Sequence, residues 1–262
     1  MDDTILLILF IAVTSISGYV LKLLTLSGSL AAFVIGICVS IGFGIEGLLL
    51  LGFFFISSSL WSKYKRKFKM NIEQRHEKGS RRDWAQVAAN GGAAALFSML
   101  NLVIPDPAWI FGFSISAAAA NSDTWASEIG SLSKKPPVFI RTFKRTDAGT
   151  SGAISLLGTV AALCGSFTIA ALAFFLFHLP LTDFFIIFIF GFAGNIIDTL
   201  FGAFGQVVYQ CKICGAEIES TIHCRNKTIH KRGLLVMNND FVNFSSCFLS
   251  ASLGMLFTSL LN

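Results

Sequence analysis

The chain has 262 residues, 54% of them hydrophobic and only 13% charged, with 27 Phe and a net charge of +5. A soluble domain of this length needs more polar surface to cover its core, so a water-soluble enzyme is excluded and no nucleic-acid partner is expected. The apolar stretches are continuous and do not alternate residue by residue, which argues against a β-barrel. What remains is an all-α, polytopic transmembrane helical bundle, expected as a single integral-membrane domain over residues 1–262 with the lipid bilayer as its surroundings.

Apolar runs long enough to cross a bilayer, about 17–25 residues each, predict about eight spans. They cover residues 4–24, 26–42, 45–61, 86–104, 108–130, 152–177, 182–205 and 241–261. The first run has no basic flank and no small-residue cleavage site, so it reads as a retained span and not as a signal peptide. The second and third are short and separated only by "GFGIE", where a re-entrant pair is the alternative. The polar segment that follows, at about residues 63–85, holds nine of the 20 Lys and Arg residues. It has two readings: a topogenic, headgroup-binding loop with a short interfacial helix, or a patch that gathers an anionic cytosolic substrate.

Two further loops, about residues 131–151 and 206–240, carry five Lys and Arg each, and Lys22 sits at the first turn. With eight spans all these loops fall on one side, which the positive-inside rule makes cytoplasmic, leaving both termini outside. The segments expected on the opposite side carry Asp2, Asp3, Glu46, Asp106, His178 and Asp183, and no Lys or Arg.

Polar residues recur near that basic side within the spans. Asn90 lies a few residues into the fourth span, in "AANGGAAA". The fifth ends in "NSDTWASEIG", which contains Asn121, Asp123 and Glu128; Asp123 stands seven residues from its end, roughly 10 Å deep at the helical rise. "GTSGAIS" opens the sixth span with Gly149, Thr150, Ser151 and Gly152. The seventh holds Asn195 and Asp198 in "GNIIDTLFGAFGQ", where Gly194, Asp198, Gly202 and Gln206 form one stripe at helical spacing. "NNDFVN" opens the eighth with Asp240 and Asn243.

An ionised carboxylate at mid-bilayer costs about 2.5–3.5 kcal/mol on insertion scales. Three left unpaired would offset much of a fold's net stability of about 5–15 kcal/mol. Asp123, Glu128 and Asp198 must therefore face water, cations, a metal or each other; capping and interhelical bonding are the plainer uses. Acids and asparagines at a cytoplasmic face suit Mg²⁺, which takes oxygen ligands, waters and substrate phosphates. The glycine turn is an anion site or simply a turn and cap. Arg141 and its neighbouring cations are phosphate ligands or topogenic anchors. Together these are the parts of a phosphoryl-transfer site: Asp123 and Asp198 on the metal, Glu128 as a further ligand or base, the asparagines, Arg141, the glycine turn, Asp240 and Asn243 on the substrates.

Cys38, Cys164 and Cys247 sit singly in spans and read as packing residues. Cys211, Cys214, His223 and Cys224 cluster in one loop, where a cytoplasmic disulfide is disfavoured. They form either a structural Zn²⁺ site or a set of free, redox-labile thiols.

In this order "NSDTWASEIG", "GTSGAIS", "GNIIDTLFGAFGQ", the cysteine loop and "NNDFVN" resemble the family of transmembrane protein 19 and plant and cyanobacterial phytyl-phosphate kinase, over about residues 90–243. The resemblance implies a multispanning enzyme of isoprenoid salvage. Such an enzyme transfers a phosphate from a nucleoside triphosphate, CTP in the plant case, to a prenyl monophosphate such as phytyl phosphate. The rival expectation is a transporter or flippase whose intramembrane acids bind ions or protons. The sequence assigns no oligomeric state.

Overall fold

The computed structural model describes residues 2–65, 69 and 81–261. Most of the expected basic loop at residues 63–85, with its interfacial helix, lies outside the described residues. The described helices are α1 (Asp2–Val20), α2 (Leu26–Lys63), α3 (Trp84–Val103), α4 (Ala108–Gly130), α5 (Leu156–Leu176), α6 (Leu181–Phe204) and α7 (Asn239–Leu261). Their starts follow local chemistry. Asp83 accepts from the Gln86 N–H while the Gln86 side chain accepts from the Asp83 N–H, a capping box that opens α3. Ser155 Oγ accepts from the Gly158 N–H to open α5.

Each expected span is helical, but the count differs from eight. Seven helices are described, and four of them, α2, α5, α6 and α7, are long and apolar enough to cross a membrane. One reason is α2. The two runs expected as separate spans form a single interrupted helix of 38 residues, broken at Phe43 and Gly44, the latter at φ 62°. A straight helix of that length would reach about 57 Å. Instead Lys63 Nζ donates to Leu21 O at 3.3 Å, so the last residue of α2 lies beside the connection that precedes its start, and the helix folds back on itself. Glycine without a Cβ takes that positive φ at no steric cost.

The second reason is α4. It packs against α2, α3, α5, α6 and α7, and residues Gly112 to Ser122 are buried without interruption. A helix enclosed by other helices is built of Ala, Ser and Gly for close approach, not of the large apolar residues that face lipid. On the outer helices the large side chains point outward; Phe175 and Leu260 are 70% and 76% exposed, the pattern of a lipid-facing belt.

The expected sixth span starts late, because residues 152–155 belong to a loop. That loop forms a small antiparallel sheet of β1 (Val138–Phe139), β2 (Lys144–Arg145) and β3 (Ala153–Ile154), in the order β2-β1-β3. The chain after α6 adds β4 (Val208–Gln210), β5 (Glu217–Ile218) and β8 (Ile229–Arg232) as a second sheet. The hairpin β6 (Ile222–His223) and β7 (Asn226–Lys227) forms a separate two-stranded sheet. Both loops come together at one end of the bundle, where Ser151 Oγ donates to Glu219 Oε1 at 2.9 Å.

Candidate active site

A cavity of about 360 Å³ opens at that end. The first two turns of α3 (Gln86, Asn90) and α7 (Asn239, Asp240, Asn243) and the first turn of α5 (Gly158, Thr159) line it. So do the last turns of α4, the later half of α6 and the turn Gly149–Ser155. Helix N-termini carry partial positive charge, so three of them around one space favour an anion. Against that, the described lining residues include five carboxylates, Asp123, Glu128, Asp198, Glu219 and Asp240, and two cations, Lys69 and Arg82. The cavity thus combines positive backbone ends with an excess of acidic side chains.

Asp123 and Asp198, from α4 and α6, both open on this space. Asn195 Nδ2 donates to Asp123 Oδ1 at 3.0 Å. Ser246 Oγ donates to Asp198 Oδ2 at 3.2 Å. The Asn243 amide, turned so that its nitrogen faces the acid, donates to the same oxygen at 3.0 Å. Each acid is therefore oriented by neutral donors from a neighbouring helix.

Glu128 is placed differently. Its Oε1 accepts from Ser62 Oγ at 2.5 Å and its Oε2 pairs with Lys69 Nζ at 2.7 Å. Both oxygens are committed, so it braces the wall. Lys69 is only 3% exposed, and an enclosed cation needs its partner. Glu128→Gln, which keeps the shape but removes the charge, is expected to cost about 2 kcal/mol. A double variant with Lys69→Met should recover most of that loss in detergent melting curves. An unchanged melting temperature in the single variant would show that the pair does not hold the wall.

Sequence reasoning also placed Asn121 and Arg141 at the site, and the structure does not bring them there. Asn121 is fully buried; its Nδ2 donates to Gly165 O at 2.8 Å, and its Oδ1 accepts from Ser57 Oγ at 3.2 Å. It ties α2, α4 and α5 together. Asn121→Ala is expected to lower stability by about 2 kcal/mol, because it leaves buried partners unsatisfied. A fall in melting temperature without a change in KM would separate this bracing from substrate contact. Arg141 is exposed and off the cavity lining.

Three charged lining residues were not singled out by the sequence: Lys69 and Arg82, which entered only as part of the basic segment at about residues 63–85, and Glu219. Arg82 immediately precedes the α3 cap. Desolvation pushes its guanidinium below the ordinary value, and the Glu128 carboxylate opposes that shift. Its position beside the Asp83 cap was the available signal. Glu219 sits within the cysteine loop and reaches the cavity only because that loop folds back. Cys211, Cys214, His223 and Cys224 lie behind it, with their ligand atoms all within 4.8 Å of one another. The backbone N–H of Cys214 and the His223 side chain pull the Cys211 thiol down to about 6, toward the thiolate.

Comparison with known proteins supports the family resemblance. The family described as integral membrane protein DUF92 matches residues 9–251. Protein PGR of Arabidopsis thaliana is 29% identical over 276 residues, covering 90% of this chain and 89% of its own. An uncharacterized membrane protein of Methanocaldococcus jannaschii, MJ0933, is 38% identical over 61% of this chain and 65% of its own. Chloroplastic protein VTE6 of Arabidopsis thaliana is 32% identical over 58% of this chain, and the match spans 47% of the relative. No solved structure gives a significant match.

Proposed function

The chain belongs to the integral membrane protein DUF92 family, and from that premise we propose that it is a membrane-embedded, Mg²⁺-dependent kinase of a lipid phosphate. A nucleoside triphosphate, CTP by the likeness of the motifs to phytyl-phosphate kinase, enters the cavity from the basic end. The acceptor is a prenyl monophosphate whose tail lies between helices. One observation carries this reading. Two acids from separate helices, the glycine turn and the first turns of three helices all line one cavity.

The donor set fits the ion. Among the described lining residues none offers sulfur or imidazole, and the oxygen groups of Asp123 and Asp198 suit a hard cation. The cysteine cluster is the one set of three or more His, Cys, Asp or Glu among the described residues close enough to share an ion. Mg²⁺ needs no such cage, since it commonly takes one or two carboxylates and completes its shell with water and phosphate. When bound, it supplies charge neutralisation on the phosphates.

The protein's own groups do the rest. Asn195 holds the Asp123 carboxylate, while Ser246 and Asn243 hold that of Asp198. The N-terminal ends of α5 and α7 and the turn at Gly149–Gly152 face the phosphate oxygens. The bond from the γ-phosphorus to the bridging oxygen breaks. A terminal oxygen of the prenyl phosphate forms the new bond, giving the prenyl diphosphate and a nucleoside diphosphate. A phosphate monoester, with a second pKa of about 6, is already anionic at neutral pH. The acceptor therefore needs no general base, which agrees with both Glu128 oxygens being engaged.

In this proposal the two limbs of α2 cross separately, making eight crossings. The basic loops and the cavity mouth are then cytoplasmic, and both termini lie outside. The rival, a transporter or flippase, draws its weight from the lack of a Walker-type G-x-x-x-x-G-K-[ST] loop in the sequence. The test is to incubate purified protein with Mg²⁺, radiolabelled CTP or ATP, and phytyl, geranylgeranyl or farnesyl monophosphate. Label in a lipid diphosphate supports the kinase. No label with any pair, together with uptake of prenyl phosphate into proteoliposomes, replaces it with the transporter.

A further inference from the structure

We infer that Cys211, Cys214, His223 and Cys224 bind one structural Zn²⁺, and that this ion holds Glu219 in the cavity wall. The inference stands apart from the kinase reading, since it concerns how the wall is built and not what reacts there.

The spacing of the ligand atoms matches a metal centre. Cys214 Sγ and Cys224 Sγ lie 3.5 and 3.3 Å from His223 Nδ1. In a tetrahedral site with Zn–S of about 2.3 Å and Zn–N of about 2.0–2.1 Å, adjacent sulfur and nitrogen stand roughly 3.5 Å apart. One ring nitrogen offers a single proton or a single lone pair and cannot satisfy the surrounding thiols. A cation among them satisfies all four groups. Three thiolates and an imidazole form a soft set suited to zinc, and with every position filled the site is structural.

The backbone is shaped for the same purpose. Around Cys211 the chain makes a tight turn: Gly215 N–H donates to Cys211 O at 3.0 Å, and Ile213 N–H donates to Cys211 Sγ at 3.4 Å. An N–H aimed at a sulfur stabilises it as thiolate. The second half is the β6–β7 hairpin, whose two turn residues, Cys224 and Arg225, have φ of 49° and 60°. Such turns favour Asn and Gly, because other side chains are strained there. A cysteine in that position points its sulfur at the other three ligands, and a metal bond compensates the strain.

The ion would join the two halves of the loop on either side of Glu219. Glu219 follows β5 and precedes β6, and its Oε1 accepts from Ser151 Oγ at 2.9 Å and Gln206 Nε2 at 2.8 Å. Through these bonds the loop fixes the glycine turn against the end of α6.

The test uses full-length protein purified in detergent under reducing conditions, without chelator or added metal. Elemental analysis should give about one zinc per chain. Cys214→Ser and His223→Ala should each lower it at least about tenfold, while Glu219→Gln retains it. Exchange of the zinc for Co²⁺ should produce the visible bands of a tetrahedral thiolate site. On metal removal, backbone hydrogen exchange should rise across residues 205–227 and at the turn around Ser151. Wild-type protein that contains no zinc and takes up none on titration overturns the site, whatever the fate of the variants. Zinc that binds but leaves exchange around Ser151 unchanged on removal overturns its hold on Glu219.

Discussion

Asp123→Asn and Asp198→Asn are each expected to lower the rate of label transfer to lipid phosphate by about 10²–10³-fold or more, with no loss of stability. Asparagine matches aspartate in shape, and at each position it keeps an oxygen for its donor, Asn195 on one side and Ser246 on the other. What disappears is the negative charge. In a low-dielectric setting a carboxylate without a counter-cation destabilises the fold, so removing it leaves melting temperature unchanged or raises it. An acid that served only as interhelical glue would behave in the opposite way, losing stability and sparing the rate. Parallel measurement of transfer rate and detergent melting therefore separates the two roles. Either variant retaining the wild-type rate would remove that aspartate from the chemistry.

The two aspartates were legible because depth in a span and the cost of burying charge can both be read from a single sequence. The error at Asn121 has a simple geometric cause. Residues two apart on a helix are turned about 200° from each other, so Asn121 and Asp123 cannot share a face. By the same spacing Asp123, Ser127 and Ser131 do face one way, and all three line the cavity. Lys69, Arg82 and Glu219 had no periodicity to betray them, since each lies in a connection between helices and not on a long helical face. The stripe on α6 proved mixed. A Cβ at Gly194 would press on Ala119 of α4, and one at Gly202 would lie 2.9 Å from Gly152 N, so those two positions serve close packing. From the same stripe Asp198 lines the cavity, and Gln206 holds Glu219 in its wall. The expected span at residues 108–130 coincides with α4, although its Ala, Ser and Gly content leaves it less apolar than the outer helices because an enclosed helix has no lipid face.

Gly152→Ala is expected to destabilise the protein by about 4 kcal/mol, the sum of backbone strain and overpacking at roughly 1–3 kcal/mol each. Gly152 has φ of 80°, a conformation that an L side chain rarely adopts. Its added Cβ would also collide with the backbone N and Cα of Ala203 on α6. Neither obstacle yields easily, since the obstructing atoms are main chain and cannot rotate away. The same residue accepts through its carbonyl from the Ile140 N–H at 3.2 Å, so moving the turn off α6 also strains the small sheet beside it. Gly215→Ala supplies the control. Its φ of 74° carries similar strain, but nothing lies within 4 Å of the new methyl, so it should cost only about 1–2 kcal/mol. The difference between the two melting shifts measures how tightly the turn at Gly149–Gly152 is pressed against α6, one turn beyond Asp198. Should Gly152→Ala melt no lower than Gly215→Ala, the turn does not rest on that helix. The phosphate-binding wall would then lie elsewhere, even if both aspartates prove essential.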